Sequence, residues 1–203
     1  MDYLNEKDKI SLQYLAQDDN WEIRLRVAEI LINFDTEFSK EILISLTRDE
    51  NNLVRASACD SLNVFPEREV VEILKEKFES DPDMLVRAYA SLSLGDILKE
   101  SGELASELAV IFSGALDNEE SISMRIPIYR ALYLCGEIEY LDKLLDGLNS
   151  AVYQDRIAVT GILEELCCDL NREKIVSSLE TLLAEESSFA VISKIKQVLE
   201  RIS

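Results

Sequence analysis

The sequence predicts an all-α protein, an α–α superhelix (solenoid) built from about six helix pairs. Three observations lead to this fold class. A short segment with an acid, an aliphatic residue and an arginine recurs about every 31 residues. Apolar residues between these segments follow the 3- and 4-residue spacing of amphipathic helices. The 203 residues include only 6 Gly and 3 Pro, which is too few for a turn-rich β protein.

The recurring segment is clearest in the first half of the chain, where an aspartate stands six residues before an arginine. An aliphatic residue directly precedes each arginine, and an apolar residue follows it seven positions later. A constant period of this length is the signature of a repeat protein, in which each helix pair packs against its neighbours. The three pairs are Asp18 and Arg24, Asp49 and Arg55, and Asp81 and Arg87.

The same register continues less regularly to the end of the chain. Glu119 replaces the aspartate before Arg125, Ser150 replaces it before Arg156, and the last repeat has lost the arginine. The longest interval, the 38 residues before Arg125, predicts an insertion near 99–122 and a looser junction between two halves. We expect a single domain, 1–203, with repeat units at about 4–34, 35–65, 66–100, 101–135, 136–168 and 169–203.

Each recurring segment is expected to begin the second helix of a pair. Asp, Asn and Ser are concentrated in the breaks before these helices, where their side chains can accept hydrogen bonds from the first turn. In one such break we expect Asp81 as the N-cap and Pro82 at the first helical position, where no N–H donor is needed. Pro127 stands early in another second helix, where it must lie in the first turn or kink the helix.

The D-x-x-x-x-V-R-x-x-A pattern in helix pairs of about 31 residues resembles HEAT repeats, especially the short bacterial type of bilin-lyase-like proteins. The resemblance covers roughly residues 4–202 and is strongest in the first three repeats. It implies that the aspartates and arginines form a ladder that ties neighbouring repeats together. On this interpretation the arginines are structural and do not bind a ligand.

The net charge is strongly negative and is spread along the whole chain, with 40 acidic and 21 basic residues giving −19. Such a field repels nucleic-acid phosphates and anionic membrane surfaces and attracts basic partners. We therefore expect a basic protein partner, no nucleic acid and no membrane; acidity that only maintains solubility is the alternative. The absence of a signal peptide and of CxxC spacing among the four Cys favours a cytoplasmic protein with reduced thiols.

We expect no enzymatic activity and neither a cofactor nor a metal. The chain has no His, which removes His-based acid–base catalysis, Ser-His triads and His-ligated metals. No glycine-rich phosphate-binding loop occurs. Adjacent acids such as Glu164-Glu165 and Glu185-Glu186 point about 100° apart on a helix, so we expect them at turns or exposed faces rather than as catalytic dyads.

The second helices are expected to line the concave face of the array. Counted from each arginine, positions −2, +2, +5 and +9 share a helix face that points away from the core. In the middle of the array this face combines apolar and aromatic residues with acids, which is the composition of a protein-binding hot spot. Burial between neighbouring second helices is the alternative. The candidate partner-binding residues are Glu22, Glu29, Leu53, Asp60, Val64, Leu85, Tyr89, Leu92, Asp96 and Leu134.

Three functions are compatible with these features. The first is a protein-binding module with an acidic groove that captures a basic protein, most specifically an immunity protein that neutralises a toxin, since HEAT-like folds are similar to one class of immunity proteins. The second is a general scaffold or adaptor in a protein assembly. The third is a bilin-lyase-like protein that handles a small molecule. Salt-sensitive partner binding would favour the first, and a bound chromophore the third.

Overall fold

The computed structural model of the chain describes residues 4–100 and 102–202, and every regular element in these ranges is helical. Twelve α-helices follow one another as six pairs, which confirms the predicted all-α class of HEAT-like helix pairs. Short 3-10 turns extend three of the connections, at Leu62–Val64, Gly102–Leu104 and Gly147–Asn149. The helices are α1 (Glu6–Leu15), α2 (Trp21–Leu31), α3 (Glu37–Leu46), α4 (Asn52–Ser61), α5 (Arg68–Ser80), α6 (Met84–Glu100), α7 (Ala105–Leu116), α8 (Ile122–Leu134), α9 (Tyr140–Asp146), α10 (Tyr153–Leu166), α11 (Arg172–Glu185) and α12 (Phe189–Ile202).

The helices group into two compact units. The first unit extends to Ile111 and contains α1 to α6 with the beginning of α7, and the second begins at Phe112. The division therefore falls inside α7, within the 99–122 interval where the repeat spacing is longest.

Side-chain caps begin the second helices of the first unit, as the sequence predicts. Asn20 accepts a hydrogen bond from the Glu22 N–H, and Asn51 accepts one from the Leu53 N–H. The prediction for Asp81 is wrong in detail, because α6 begins two residues later than expected and Asp83 accepts from the N–H of its first turn. The Asp81 carboxylate has another role in the ladder.

The second helices of the first unit run parallel and in register. The Ser61 hydroxyl donates to the Ala28 carbonyl at 3.0 Å, and the Ser93 hydroxyl donates to the Cys59 carbonyl at 2.9 Å. Both serines are buried and stand at the same repeat position, so each ties its helix to the second helix of the preceding pair. The sequence separation between donor and acceptor is nearly the same in both hydrogen bonds. The helices α2, α4 and α6 therefore lie side by side, with equivalent residues at the same height.

Arginines link successive repeats of the first unit through two kinds of hydrogen bond. Arg24 donates to both carboxylate oxygens of Asp49 in the next repeat, at 2.6 and 2.8 Å, and to the carbonyl of Asp18 in its own repeat at 2.7 Å. Arg55 does the same with Asp81, at 3.0 and 2.9 Å, and with the Asp49 carbonyl at 2.9 Å. The structural role predicted for these arginines is confirmed.

The aspartates of this ladder are nearly inaccessible, with side-chain exposures of 7% for Asp49 and 3% for Asp81. Burial alone would raise the pKa of each carboxyl. Hydrogen bonds from the arginines and from backbone N–H groups outweigh that effect and lower both pKa values. Both side chains are therefore held as carboxylates, paired with Arg24 and Arg55.

The second unit contains one further ladder step that the sequence did not reveal. Arg156 donates to Glu186 at 2.6 and 3.0 Å and to the Ser150 carbonyl at 2.6 Å. Glu186 lies in the turn between α11 and α12, as expected for these paired acids, but its side chain is only 3% exposed and is therefore not solvated there. The arginine and two backbone N–H groups lower the pKa of Glu186 to about 2.

The fourth helix pair departs from the predicted exposure pattern. Pro127 is the sixth residue of α8 and is buried, so it lies beyond the first turn. Arg130 is 3% exposed and donates to both carboxylate oxygens of Glu165. Pro127 and Arg130 stand at positions +2 and +5 of their repeat. These positions belong to the predicted exposed face, but both residues are buried in this helix pair.

Candidate protein-binding groove

Three parallel helices of the first unit present an exposed face that we call the groove, formed by α2, α4 and α6. An open cavity of about 270 Å³, the central cavity, lies over α4. Its lining follows helical spacing on each helix, because residues three and four apart share a face. The lining residues are Leu25 and Glu29 from α2, Leu53, Ala56, Ser57 and Asp60 from α4, and Leu85 and Tyr89 from α6.

The central cavity is apolar at one end and acidic at the other. Leu53 and Leu85 lie in the first turns of α4 and α6 and are 39% and 38% exposed, so part of each apolar side chain is accessible in the cavity. Two turns further along, Glu29 and Asp60 bring carboxylates to the same cavity. Tyr89 stands between these two levels and is half-buried.

Asp60 is the acid of the groove with the most unfavourable surroundings. Burial raises the pKa of its carboxyl, and the charge of Asp96 raises it further. Among the described residues, none donates a hydrogen bond or contributes a cation to Asp60. By contrast, Glu29 pairs with Arg26 at 2.6 Å, and Asp96 pairs with Lys99 at 3.4 Å. The groove therefore contains a partly desolvated carboxylate that a cation could neutralise.

A second open cavity, of about 520 Å³, lies further along the same helices. It continues the mixture of acids and apolar residues towards the C-terminal ends of α2 and α4. Its lining residues are Asp35, Asn63, Val64, Pro66, Asp96 and Lys99.

The ten candidate residues fall into four groups. Five of them meet in the central cavity: Glu29, Leu53, Asp60, Leu85 and Tyr89. Val64 and Asp96 line the second cavity, while Glu22 is exposed at the start of α2 and Leu92 is half-buried on α6. Leu134 belongs to the second unit, where it packs against the hydrophobic core.

Three residues of the central cavity were not among the candidates: Leu25, Ala56 and Ser57. Ser57 stands at position +2 of the predicted face, whereas Leu25 and Ala56 both follow an arginine directly, at position +1 of their repeat. This position lies three residues after −2 and four before +5, so helical periodicity places it on the same face. Adding position +1 to the predicted face at positions −2, +2, +5 and +9 would have identified Leu25 and Ala56.

Other kinds of site find little support in the described part of the chain. No group of three or more His, Cys, Asp or Glu within it has the arrangement of a metal site. No helix in residues 4–100 or 102–202 is long and apolar enough to cross a membrane. All four cysteines are free thiols, and burial raises the pKa of Cys59 to about 12 and that of Cys135 to about 11.

Comparison with known proteins shows a family match over part of the chain. Residues 10–95 match the family of HEAT repeats, and every residue of the central cavity lies within this range. The described residues thus form a series of helix pairs, and residues 10–95 of the chain are similar to HEAT repeats.

Two solved structures are similar over the whole chain. One is a chain of the complex of CpcE and CpcF of phycocyanin lyase from Nostoc sp. PCC7120, with 16% sequence identity, a TM-score of 0.52 and 96% of its own length covered. The other is the archaeal HEAT-like repeats protein from Thermococcus onnurineus NA1, with 13% identity, a TM-score of 0.42 and 98% of its length covered. At such low identity, the likeness to the lyase chain is evidence for a common fold alone.

Proposed function

We propose that this chain is a non-catalytic protein-binding module whose groove captures a basic protein. The observation that carries the proposal is the central cavity, where exposed leucines and Tyr89 adjoin the Asp60 carboxylate, which has no partner among the described residues. Aromatic and aliphatic anchors surrounded by polar groups are typical of the energetic centre of a protein interface. The net charge of −19 would speed the approach of a cationic partner and disfavour nucleic acid.

The most specific form of this proposal is an immunity protein that neutralises a basic toxin in the cytoplasm. A small acidic repeat protein suits this task, because complementary charge raises the association rate with a cationic target. The four free thiols accord with a reducing compartment. A general scaffold is the alternative within the same class, and it would not require a basic partner.

Affinity purification from the native host, at low and at high salt, tests the proposal. Three baits are compared: the wild-type chain, Asp60→Lys in the groove, and Glu69→Lys on the exposed surface of α5 as a control with the same change in charge. We expect mass spectrometry to identify a basic protein that the wild type and Glu69→Lys retain at low salt. High salt should release it, since screening weakens exposed charge pairs, and Asp60→Lys should not capture it.

The other outcomes point to other functions. A neutral assembly captured equally by all three baits at both salt concentrations would indicate a scaffold and contradict the basic-partner proposal. A coloured small molecule without a protein would indicate a lyase-like function, as in the phycocyanin lyase whose chain shares the fold. If a captured basic protein stops growth when expressed alone, and co-expression restores growth, the immunity role is supported; a harmless partner would contradict it.

A further inference from the structure

The central cavity is open and is large enough for one extended side chain. Pockets for drug-sized molecules have volumes of roughly 300–1,000 Å³, and this open cavity has about 270 Å³. A single residue projecting from a partner protein therefore fits the available space better than a large organic cofactor does.

The order of groups along the cavity matches a side chain with a long apolar stem and a charged head. Because α2, α4 and α6 run parallel and in register, Leu53 and Leu85 lie at one level and Glu29 and Asp60 at another. The distance along a helix from Leu53 to Asp60 is seven residues, or about 10 Å at 1.5 Å per residue. Lysine and arginine side chains bury their methylene groups on apolar surface in this way while the charge reaches a polar end.

Two features distinguish a guanidinium from an ammonium head. Both oxygens of the Asp60 carboxylate lack a donor among the described residues, and a guanidinium donates to two carboxylate oxygens at once. The half-buried ring of Tyr89 lies on the neighbouring helix, and guanidinium groups stack on such rings more readily than ammonium groups do.

We infer that the central cavity is the socket for a single arginine side chain of the partner protein. Its guanidinium pairs with Asp60 and lies against the Tyr89 ring, while its methylene groups pack on Leu53 and Leu85. This inference rests on the proposed function, since it specifies which residue of a basic partner anchors it. It further predicts that a partner with lysines alone would bind less tightly.

The test uses Nα-acetyl-arginine amide as the probe, because it reproduces an arginine within a polypeptide. The probe is titrated into the full-length ¹⁵N-labelled chain, and amide chemical shifts are followed by NMR. Nα-acetyl-citrulline amide keeps the shape without the charge, and Nα-acetyl-lysine amide keeps the charge without the planar head. Free arginine, which adds an α-ammonium and an α-carboxylate group, distinguishes a small-molecule ligand from a residue of a protein.

We expect shifts confined to the amides of α2, α4 and α6 around the cavity, with a dissociation constant on the order of millimolar, as one anchoring side chain allows. The Asp60→Asn variant should bind at least about tenfold more weakly, as expected when a charge-assisted pair is lost. Glu69→Gln should bind as the wild type does. The citrulline probe should not shift these amides, and the lysine probe should bind more weakly than the arginine probe.

Equal binding of citrulline and arginine probes, no shift at the cavity, or unchanged affinity in Asp60→Asn would overturn the arginine socket. Tighter binding of free arginine than of its acetylated amide would also overturn it and point to a small-molecule site. The proposed function is tested separately, because a captured basic protein that still depends on the groove would leave that function standing while the socket fails.

Discussion

Replacing Arg55 by alanine tests the ladder that holds the repeats of the first unit together. The substitution removes two hydrogen bonds to the Asp81 carboxylate and one each to the carbonyls of Asp49 and Glu50. It leaves Asp81, 3% exposed, without its principal partner. Lys77 remains at 3.8 Å, and the Asp83 N–H still donates to it.

Breaking a buried ion pair by removing one partner costs about 3–5 kcal/mol. Because Lys77 and the Asp83 N–H remain, we expect Arg55→Ala to lower the free energy of unfolding by about 3 kcal/mol, at the lower end of that range. Arg87 is the matched control, because it stands at the same repeat position. Its described hydrogen bonds go only to the carbonyls of Asp81 and Pro82, at 3.0 and 3.4 Å, so Arg87→Ala should cost about 1 kcal/mol.

Urea titration followed by circular dichroism gives both free energies, and a double-mutant cycle isolates the pair. Arg55→Ala combined with Asp81→Ala should destabilise the protein less than the sum of the single changes, because the double variant leaves no unpaired buried carboxylate. The reasoning is refuted if Arg55→Ala costs less than Arg87→Ala, or if the two changes of the cycle are additive.

Three further predictions concern acid stability, buried hydroxyls and thiol reactivity. In the folded protein the pKa of Glu186 is lowered to about 2, so its pairing with Arg156 stabilises the fold above about pH 4.5, and this stabilisation is lost as pH falls towards 2. In Glu186→Gln the free energy of unfolding should therefore fall less steeply across this pH range. A fall as steep as in the wild type would refute the role of Glu186. Ser91→Ala removes a buried hydroxyl that has no partner among the described residues, so it should leave the free energy of unfolding unchanged or raise it. Ser93→Ala removes a hydrogen bond to the Cys59 carbonyl and should lower the free energy of unfolding by about 1 kcal/mol. Urea titrations that give the reverse order would contradict the hydrogen-bond assignment. A thiol reagent should modify the exposed Cys168 first and leave the buried Cys59 unmodified until the protein unfolds. If mass spectrometry finds Cys59 modified in the native protein, the burial of Cys59 in α4 is contradicted.

Periodicity predicted the helices and the faces they bury, because both depend on residues close in sequence. The resemblance to HEAT repeats likewise implied that Arg24 and Arg55 are structural. It did not reveal which acid pairs with each arginine. The carboxylate that accepts from the arginine belongs to the following repeat, whereas the accepting carbonyl belongs to the arginine's own repeat. Only the stacking of neighbouring repeats determines that division.

The errors in the prediction have identifiable physical causes. Asp81 was assigned to a cap because Asp-Pro is a common helix start, but the pairing with Arg55 binds its carboxylate and leaves capping to Asp83. Glu186 was assigned to a solvated turn although it stands six residues before Ile192, the same spacing as the ladder aspartates. The loss of the arginine from the last repeat concealed this correspondence.

The candidate groove was predictable in part. Five of its ten proposed residues line the central cavity because a helix face can be read from spacing. The pairing state of each acid could not be read in this way. Glu29 and Asp60 occupy the same repeat position. Among the described residues only Glu29 of these two has a partner, because Arg26 stands three residues before it on α2.

The affinity of the purified partner for two single variants tests the central claim most directly. Tyr89→Ala alters the half-buried aromatic residue of the central cavity, and Phe189→Ala alters an aromatic residue of the second unit that is 84% exposed. Calorimetric titration should give at least a tenfold weaker affinity for Tyr89→Ala, about 1.4 kcal/mol, and an affinity within twofold of the wild type for Phe189→Ala. Unchanged binding by a folded Tyr89→Ala variant, with binding lost in Phe189→Ala, would show that the partner binds elsewhere and contradict the account.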